Sequence, residues 1–200
     1  LHQTFKKTAQ TIVYLPHFIS SVIIAGIVIT AFSPGAGIVN TFLGWLGIDP
    51  IYFLTKPEWF RPIFVGTGIW QVAGFQSIVY LAAIAGVSPT LYESAVVDGA
   101  SRWQMMWKIT VPSILPTIII MLIIRIGNMM EVSFEMIILL YQPATYETAD
   151  VVNTFIYRQG IQGGQYDLAA AAGLFNAVVA FTLVMTANTI SKRYSRTSLW

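Results

Sequence analysis

Four apolar stretches leave this chain few ways to fold. A helix needs roughly 20 residues to cross the hydrocarbon core of a bilayer, and runs of that kind lie at 12–32, 62–87, 109–130 and 169–190. Each is apolar around the whole helical wheel, which fits burial among lipid and partner helices better than a one-sided surface helix. Composition agrees. Charged residues make up 10% of the chain and hydrophobic ones 56%, whereas a soluble domain carries about 25% charged residues to solvate its surface. The expectation is an all-α integral membrane protein, a single transmembrane domain over residues 1–200. There are no cysteines, so disulfides and thiolate metal sites are excluded. A net charge of +2 is too small to point to nucleic acid. The chain opens at Leu1 and no signal peptide follows, so it reads as part of a longer protein.

Orientation follows from the basic residues. With the chain start in the cytoplasm, four spans return the C-terminus to the cytoplasm. The inner segments then hold Lys6, Lys7, Arg102, Lys108, Lys192, Arg193 and Arg196, and the outer ones Lys56, Arg61 and Arg158. Excess Lys and Arg on the cytoplasmic side is what membrane insertion favours. Asp49, Glu58, Glu131, Glu135, Glu147, Asp150 and Asp167 fall outside. The outer segment 33–61 is too apolar for an ordinary loop, and an interfacial or re-entrant helix is expected from Ile38 to Leu46. In the outer segment 131–168 a helix is expected from Ala149 to Gly160, between the turns at Gln142-Pro143 and Gly163-Gly164.

Residues 88–108 lie between two spans on the cytoplasmic side. Ser88-Pro89 reads as a helix start, with proline at the first helical position; Thr90 and Glu93 offer a competing capping box. The helix should break at Asp98-Gly99, where glycine accepts a positive φ. A second short helix is expected from Ala100 towards Lys108, with Trp103, Met106 and Trp107 at the membrane surface. Small residues leave a low surface that another protein can approach closely. On the residues alone, an interfacial loop shaped only by solvation fits as well.

The spacing is more specific. Glu93-Ser94-Ala95, three residues, Gly99, nine residues and Ile109-Thr110-Val111-Pro112 resembles the EAA motif of ABC importer permeases, with serine for one alanine and valine for a leucine. The segments FKKTAQTIVYLPHFIS, GIWQVAGFQSIVYLAAIAG and YQPATYETADVVNTFIYRQG, with the terminal SLW, are similar to oligosaccharide and polysaccharide permeases of the maltose type. This resemblance implies the type I ABC importer permease fold, with the first two of six core helices not present in this chain. It also implies that Glu93, Ser94, Ala95, Asp98, Gly99, Ala100, Ile109 and Pro112 couple the spans to an ATPase. The implied partners are a second permease subunit, two cytoplasmic ATPase subunits holding ATP and Mg, an extracytoplasmic solute-binding protein, membrane lipid and a carbohydrate substrate. No cofactor is implied in this chain, nor any nucleic-acid partner, and the implied location is the bacterial plasma membrane.

Polar groups inside spans are costly and are usually turned away from lipid. Arg125 lies about 20 Å along its helix from Pro112, followed by Asn128 and by Glu131 at the outer mouth. These residues can line a translocation cavity and bind a sugar or its carboxylate. Arg125 can equally snorkel outward or pair with a glutamate as a packing strut, the commoner role. Gln71 and Asn176 are weaker candidates for the pathway, since buried amides commonly join neighbouring helices. Trp70, Phe75 and Tyr80 offer aromatic faces for sugar, although aromatics in a span more often serve packing or the interfacial belt. His2 and His17 have no partners at metal-ligand spacing. An alternative function, a secondary transporter of a small polar solute, would need a coupling-ion site at mid-membrane, and no Asp or Glu lies mid-span. No zinc-hydrolase or serine-nucleophile motif marks an enzyme, so no catalytic or metal-binding residue is expected.

Overall fold

The computed structural model describes residues 3–130 and 133–195. His2, Glu131, Arg196 and the terminal Ser-Leu-Trp lie outside the described residues. The regular elements described are all helical. In order they are α1 (Gln3–Tyr14), α2 (Ser21–Ala31), α3 (Ile38–Trp45), α4 (Pro57–Ala85), α5 (Pro89–Val97), α6 (Arg102–Met105), α7 (Val111–Gly127), α8 (Phe134–Leu140), α9 (Tyr146–Ala149), α10 (Val152–Phe155) and α11 (Tyr166–Ser195).

Among the described residues three runs are long and apolar enough to cross a membrane: Pro57–Ala85, Arg102–Met130 and Tyr166–Arg193. They fall on the second, third and fourth expected spans. The first expected span, 12–32, is not one helix: Thr4–Phe18 and Ser21–Ala31 meet at 103°. Pro16 sits at the start of a 3-10 turn, Leu15–Phe18, and Ile19 is extended. Ser20 then begins α2 as its N-cap, its hydroxyl accepting the Ile23 N–H at 3.4 Å. Proline and a serine cap four residues later thus end one helix and start the next. The pair counts as a fourth span only if taken as one broken crossing.

Packing divides the chain into two compact units, Leu1–Phe75 with Glu131–Phe175, and Gln76–Met130 with Asn176–Trp200. In the first unit, Ile24, Ala25 and Val28 of α2, Phe60 and Ile63 of α4, and Met136, Ile137 and Leu140 of α8 form the core with Phe53 and Ala149. The spacing of these residues is that of one helical face each; the remaining apolar faces are left uncovered, as in Val22 and Ile23. Gly74 lets α1 and α4 approach, for a Cβ there would run into the Val13 carbonyl.

The segment after α2 is an ordered cap. The helix expected from Ile38 to Leu46 is α3, with Ile38, Phe42 and Trp45 exposed. It ends at Gly47, φ +76°, whose neighbour Ile48 donates back to the Leu43 carbonyl at 3.0 Å. The buried Asn40 amide clips the segment together: its Nδ2 donates to the carbonyls of Ser33 (3.1 Å) and Ile51 (2.9 Å), and its Oδ1 accepts the Ile51 N–H at 2.8 Å. The start of α4 is pinned in turn, because Thr148 donates to the Pro57 carbonyl at 2.8 Å while Arg61 Nε donates to the Thr148 carbonyl at 3.1 Å.

Beyond it, the helix expected at 149–160 is α10 continued by a π-helical turn, Ile156–Gln162. Its frame is the bidentate pair of Arg158 with Asp150, at 3.1 and 2.6 Å, with the guanidinium carbon 4.8 Å from the Tyr146 ring centre. The Thr154 hydroxyl also donates to Asp150. Burial pushes the Asp150 carboxyl upward, but the hydrogen bonds from Arg158, Thr154 and the Val151 amide outweigh it and hold the group below the usual carboxylate range.

In the second unit Ile114 and Ile123 of α7 are buried, and Gly127 lies so close to α11 that a Cβ would sit 3.0 Å from Val184. On α11 the hydroxyls of Thr182, Thr186 and Thr189 donate to carbonyls four residues back at 2.7–2.8 Å, which removes the cost of bare hydroxyls in apolar surroundings.

Two outcomes are expected. Asn40→Ala strands buried backbone groups and should cost about 2–3 kcal/mol, read as a lower unfolding midpoint in detergent and faster proteolysis between 33 and 51. A depressed carboxylate contributes stability that is present above its unfolded pKa, about 4, and is lost as pH falls through its lower folded value. Asp150→Asn should therefore flatten the acid limb of the stability profile, measured as unfolding midpoint against pH.

Candidate functional site

The site is built from α5, the turn after it and the head of the following span. The residue Ser88 is the N-cap of α5 and Pro89 its first residue, where a missing N–H costs nothing. The helix therefore starts at Pro89 and not at the Thr90–Glu93 box; the Ser88 and Thr90 hydroxyls lie 2.8 Å apart. None of its nine residues is buried. At its end Gly99 takes φ +73°. The Gly99 N–H donates to the Val96 carbonyl at 3.0 Å and the Ala100 N–H to the Ala95 carbonyl at 2.9 Å. This pair of bonds closes a helix with a left-handed glycine. A Cβ on Gly99 would meet nothing within 4 Å, so backbone conformation and not crowding calls for glycine here.

The expected second short helix, Ala100 to Lys108, does not exist as a separate element. Ser101 and Gln104 form a capping box: Ser101 Oγ accepts the Gln104 N–H at 3.3 Å and Gln104 Oε1 accepts the Ser101 N–H at 2.8 Å. From that box α6 runs into a π-helical turn, Met106–Thr110, and on into α7. Proline lacks an N–H and its ring presses on the carbonyl four residues back. Pro112 stands at the opening of α7, and the wider turn before it lets the helix continue where it would otherwise break. Trp103 and Trp107 pack edge to face on this run, ring centres 6.0 Å apart, and both are exposed.

The residues implied in coupling divide accordingly. Glu93, Ser94, Asp98 and Gly99 are exposed, and Ala95 and Ala100 half-buried, on α5 and its turn; Ser94 Oγ donates to the Leu91 carbonyl at 3.1 Å. Ile109 is half-buried in the π turn and Pro112 exposed just beyond it. One bond, unforeseen in the sequence, ties the two parts: the Tyr92 and Thr110 hydroxyls lie 2.9 Å apart, 18 residues apart in the chain. The Ser-x-x-Gln box was legible as a pattern; a hydroxyl pair across a turn has no local signature.

The pathway residues are less gathered. Arg125 lies in the last turn of α7 and Asn128 opens the 3-10 turn after it, both exposed. The structure shows no hydrogen bond between them, and Glu131 is outside the described residues. Gln71 is half-buried on α4 and Asn176 on α11. Of the aromatics, Phe75 has its face covered by the His17 ring, centres 3.9 Å apart and nearly parallel, so both belong to packing. Trp70 lines a cleft of about 350 Å³ with Trp59, Phe32, Gly66 and Thr67.

Comparison with known proteins bears on the whole chain. A family model described as "binding-protein-dependent transport system inner membrane component" matches residues 1–196. The polygalacturonan/rhamnogalacturonan transport system permease protein YteP of Bacillus subtilis (strain 168) is 39% identical over 196 residues, 98% of this chain and 61% of the relative. Protein LplB of the same organism is 38% identical, over 98% of this chain and 62% of the relative. The chain thus spans less than two thirds of the length of these two relatives. A chain of the crystal structure of a bacterial alginate ABC transporter, in complex with alginate pentasaccharide-bound periplasmic protein, superposes with a TM-score of 0.97 at 60% identity, covering 100% of this chain and 69% of that one. The chain belongs to the family of binding-protein-dependent transport system inner membrane components.

Proposed function

We propose that the chain is the membrane part of an ATP-driven importer, a permease subunit that moves an oligosaccharide or polysaccharide fragment into the cytoplasm by alternating access. The observation that carries this reading is α5: a short, exposed helix, closed by a left-handed glycine between two apolar runs and bearing Glu93-Ser94-Ala95. Such a helix presents side chains to a partner and contributes little to the chain's own core, which is what docking into an ATPase cleft requires. ATP and Mg belong to two ATPase subunits on the cytoplasmic side, and this subunit is not itself catalytic. A second permease subunit covers the apolar faces that the chain leaves open. A solute-binding protein delivers sugar to the outer segments, where the Asn40 clip and the Asp150–Arg158 pair give a rigid landing surface. The chain start and the C-terminus are cytoplasmic.

An acidic cargo is supported by Arg125, a cation within an apolar run, and by the polyuronide substrates in the names of two of the similar proteins. The cleft beside Trp59 and Trp70 offers aromatic faces next to the Thr67 hydroxyl, the usual make-up of a ligand cleft.

The test uses the full permease pair with its ATPase subunits in proteoliposomes. Gly99→Trp and Glu93→Arg should each lower binding-protein-stimulated ATP hydrolysis by about fivefold or more, the scale of coupling between linked sites. Unchanged turnover in both would refute the assignment of α5. Arg125→Gln should raise the KM for an oligogalacturonate about tenfold or more, the worth of a charge-assisted hydrogen bond, with little effect on a neutral oligosaccharide. An equal loss for both sugars would make Arg125 a structural residue.

A further inference from the structure

A helix joined to its span through one glycine turn should swivel and transmit little. Gly99 is the permissive point: its positive φ closes α5, and the chain then turns at once into the Ser101 cap of α6. Force applied at Glu93 would rotate α5 about that turn unless a second attachment held it. The Tyr92–Thr110 hydroxyl pair is placed to be that attachment. Tyr92 lies in the second turn of α5, well back from the pivot, and both residues are half-buried. Among the described residues it is the one side-chain hydrogen bond between α5 and the run Arg102–Met130.

The receiving end is equally specific. Thr110 is the last residue of the π turn, in which the Val111 N–H reaches back to the Met106 carbonyl. Its own hydroxyl donates to the Met105 carbonyl at 3.5 Å, which leaves Thr110 Oγ1 to accept from Tyr92. Turns of this width within α-helices are rare and recur at functional sites. Here the turn seats a hydroxyl at the joint between helix and span, partly shielded from competing water, where a hydrogen bond gains strength.

We propose that the Tyr92–Thr110 pair is a positioning strut that makes α5 and the span beginning at Arg102 move as one lever. The inference rests on the reading of α5 as the ATPase-docking helix and adds residues that the EAA pattern does not contain. Neither side chain needs to touch ATP or sugar.

Cysteines are introduced at the exposed Val97 and Met129 of a full-length permease pair with its ATPase subunits, all other cysteines in the assembly having been replaced. The spin labels they carry are read by pulsed dipolar spectroscopy in proteoliposomes. The expected Val97–Met129 distance distribution is narrow and stays in place when ATP and vanadate are added. In Tyr92→Phe and in Thr110→Val it should broaden and shift with nucleotide. Thr110→Ser, which keeps the hydroxyl, should restore the narrow distribution, and the double variant Tyr92→Phe/Thr110→Val should be no worse than either single one, since both remove the same bond. A wild-type distribution in both single variants would overturn the strut. So would a broadening in Thr110→Ser as large as in Thr110→Val, which would assign the effect to side-chain volume. Addition of the ATPase subunits should also immobilise the Val97 label. If it does not, docking of α5 fails and the strut falls with it; if it does while the variants stay narrow, the strut alone fails.

Discussion

A backbone amide in hydrocarbon has no water to bond, so a chain crossing a membrane must satisfy every N–H and C=O from within. That constraint accounts for the long helices, and it makes each interruption informative. Where this chain stops being helical, another group takes over the freed bonds. Ser20 caps α2 after the Pro16 turn. The Asn40 amide takes the Ile51 N–H and two carbonyls. The Gly99 turn closes α5 with two backbone bonds, and the Ser101–Gln104 box opens the next helix immediately. The breaks are built as carefully as the spans.

The same rule separates rigid from movable parts. In the first unit, Thr148 bonds to Pro57 and Arg61, 91 and 87 residues away, while Asn40 and the Asp150–Arg158 pair close their own segments. In the patch from Ser88 to Thr110 the bonds are mostly local, within α5 or within α6, and among the described residues a single side-chain bond, Tyr92 to Thr110, bridges the turn. A patch with that arrangement keeps the shape of each helix while leaving the angle between them to one hydroxyl pair.

Much of this was legible in the sequence, because it follows from strong local signals. Uninterrupted apolar length gave three of the spans, Ser88-Pro89 the start of α5, and Asp98-Gly99 its end. The EAA spacing, intact from Glu93 to Pro112, pointed to the family that the comparisons establish. The departures also have a local cause. The expected first span, 12–32, is a pair of helices bent by 103°, because Ser20 caps a new helix just after the Pro16 turn, a signal that apolar length does not carry. The short helix expected from Ala100 towards Lys108 is instead the head of the run Arg102–Met130, because the π turn absorbs Pro112 and keeps that run continuous. Of the two roles open to Phe75, packing or sugar contact, the stacked His17 ring favours packing, and the sequence does not show that pairing. The Tyr92–Thr110 pair was out of reach, for it depends on how α5 folds back against the π turn.

The central claim, that α5 is the helix gripped by an ATPase on the cytoplasmic side, is tested most directly by cysteine protection. Single cysteines would be placed through residues 89–101 of the full-length permease, and their alkylation by a membrane-impermeant maleimide measured in vesicles of both orientations. The account predicts labelling only when the cytoplasmic face is outward, with strong protection at positions 93, 94 and 97–99 once the ATPase subunits are bound. Labelling from the opposite face, or rates through α5 that the ATPase subunits leave unchanged, would contradict it.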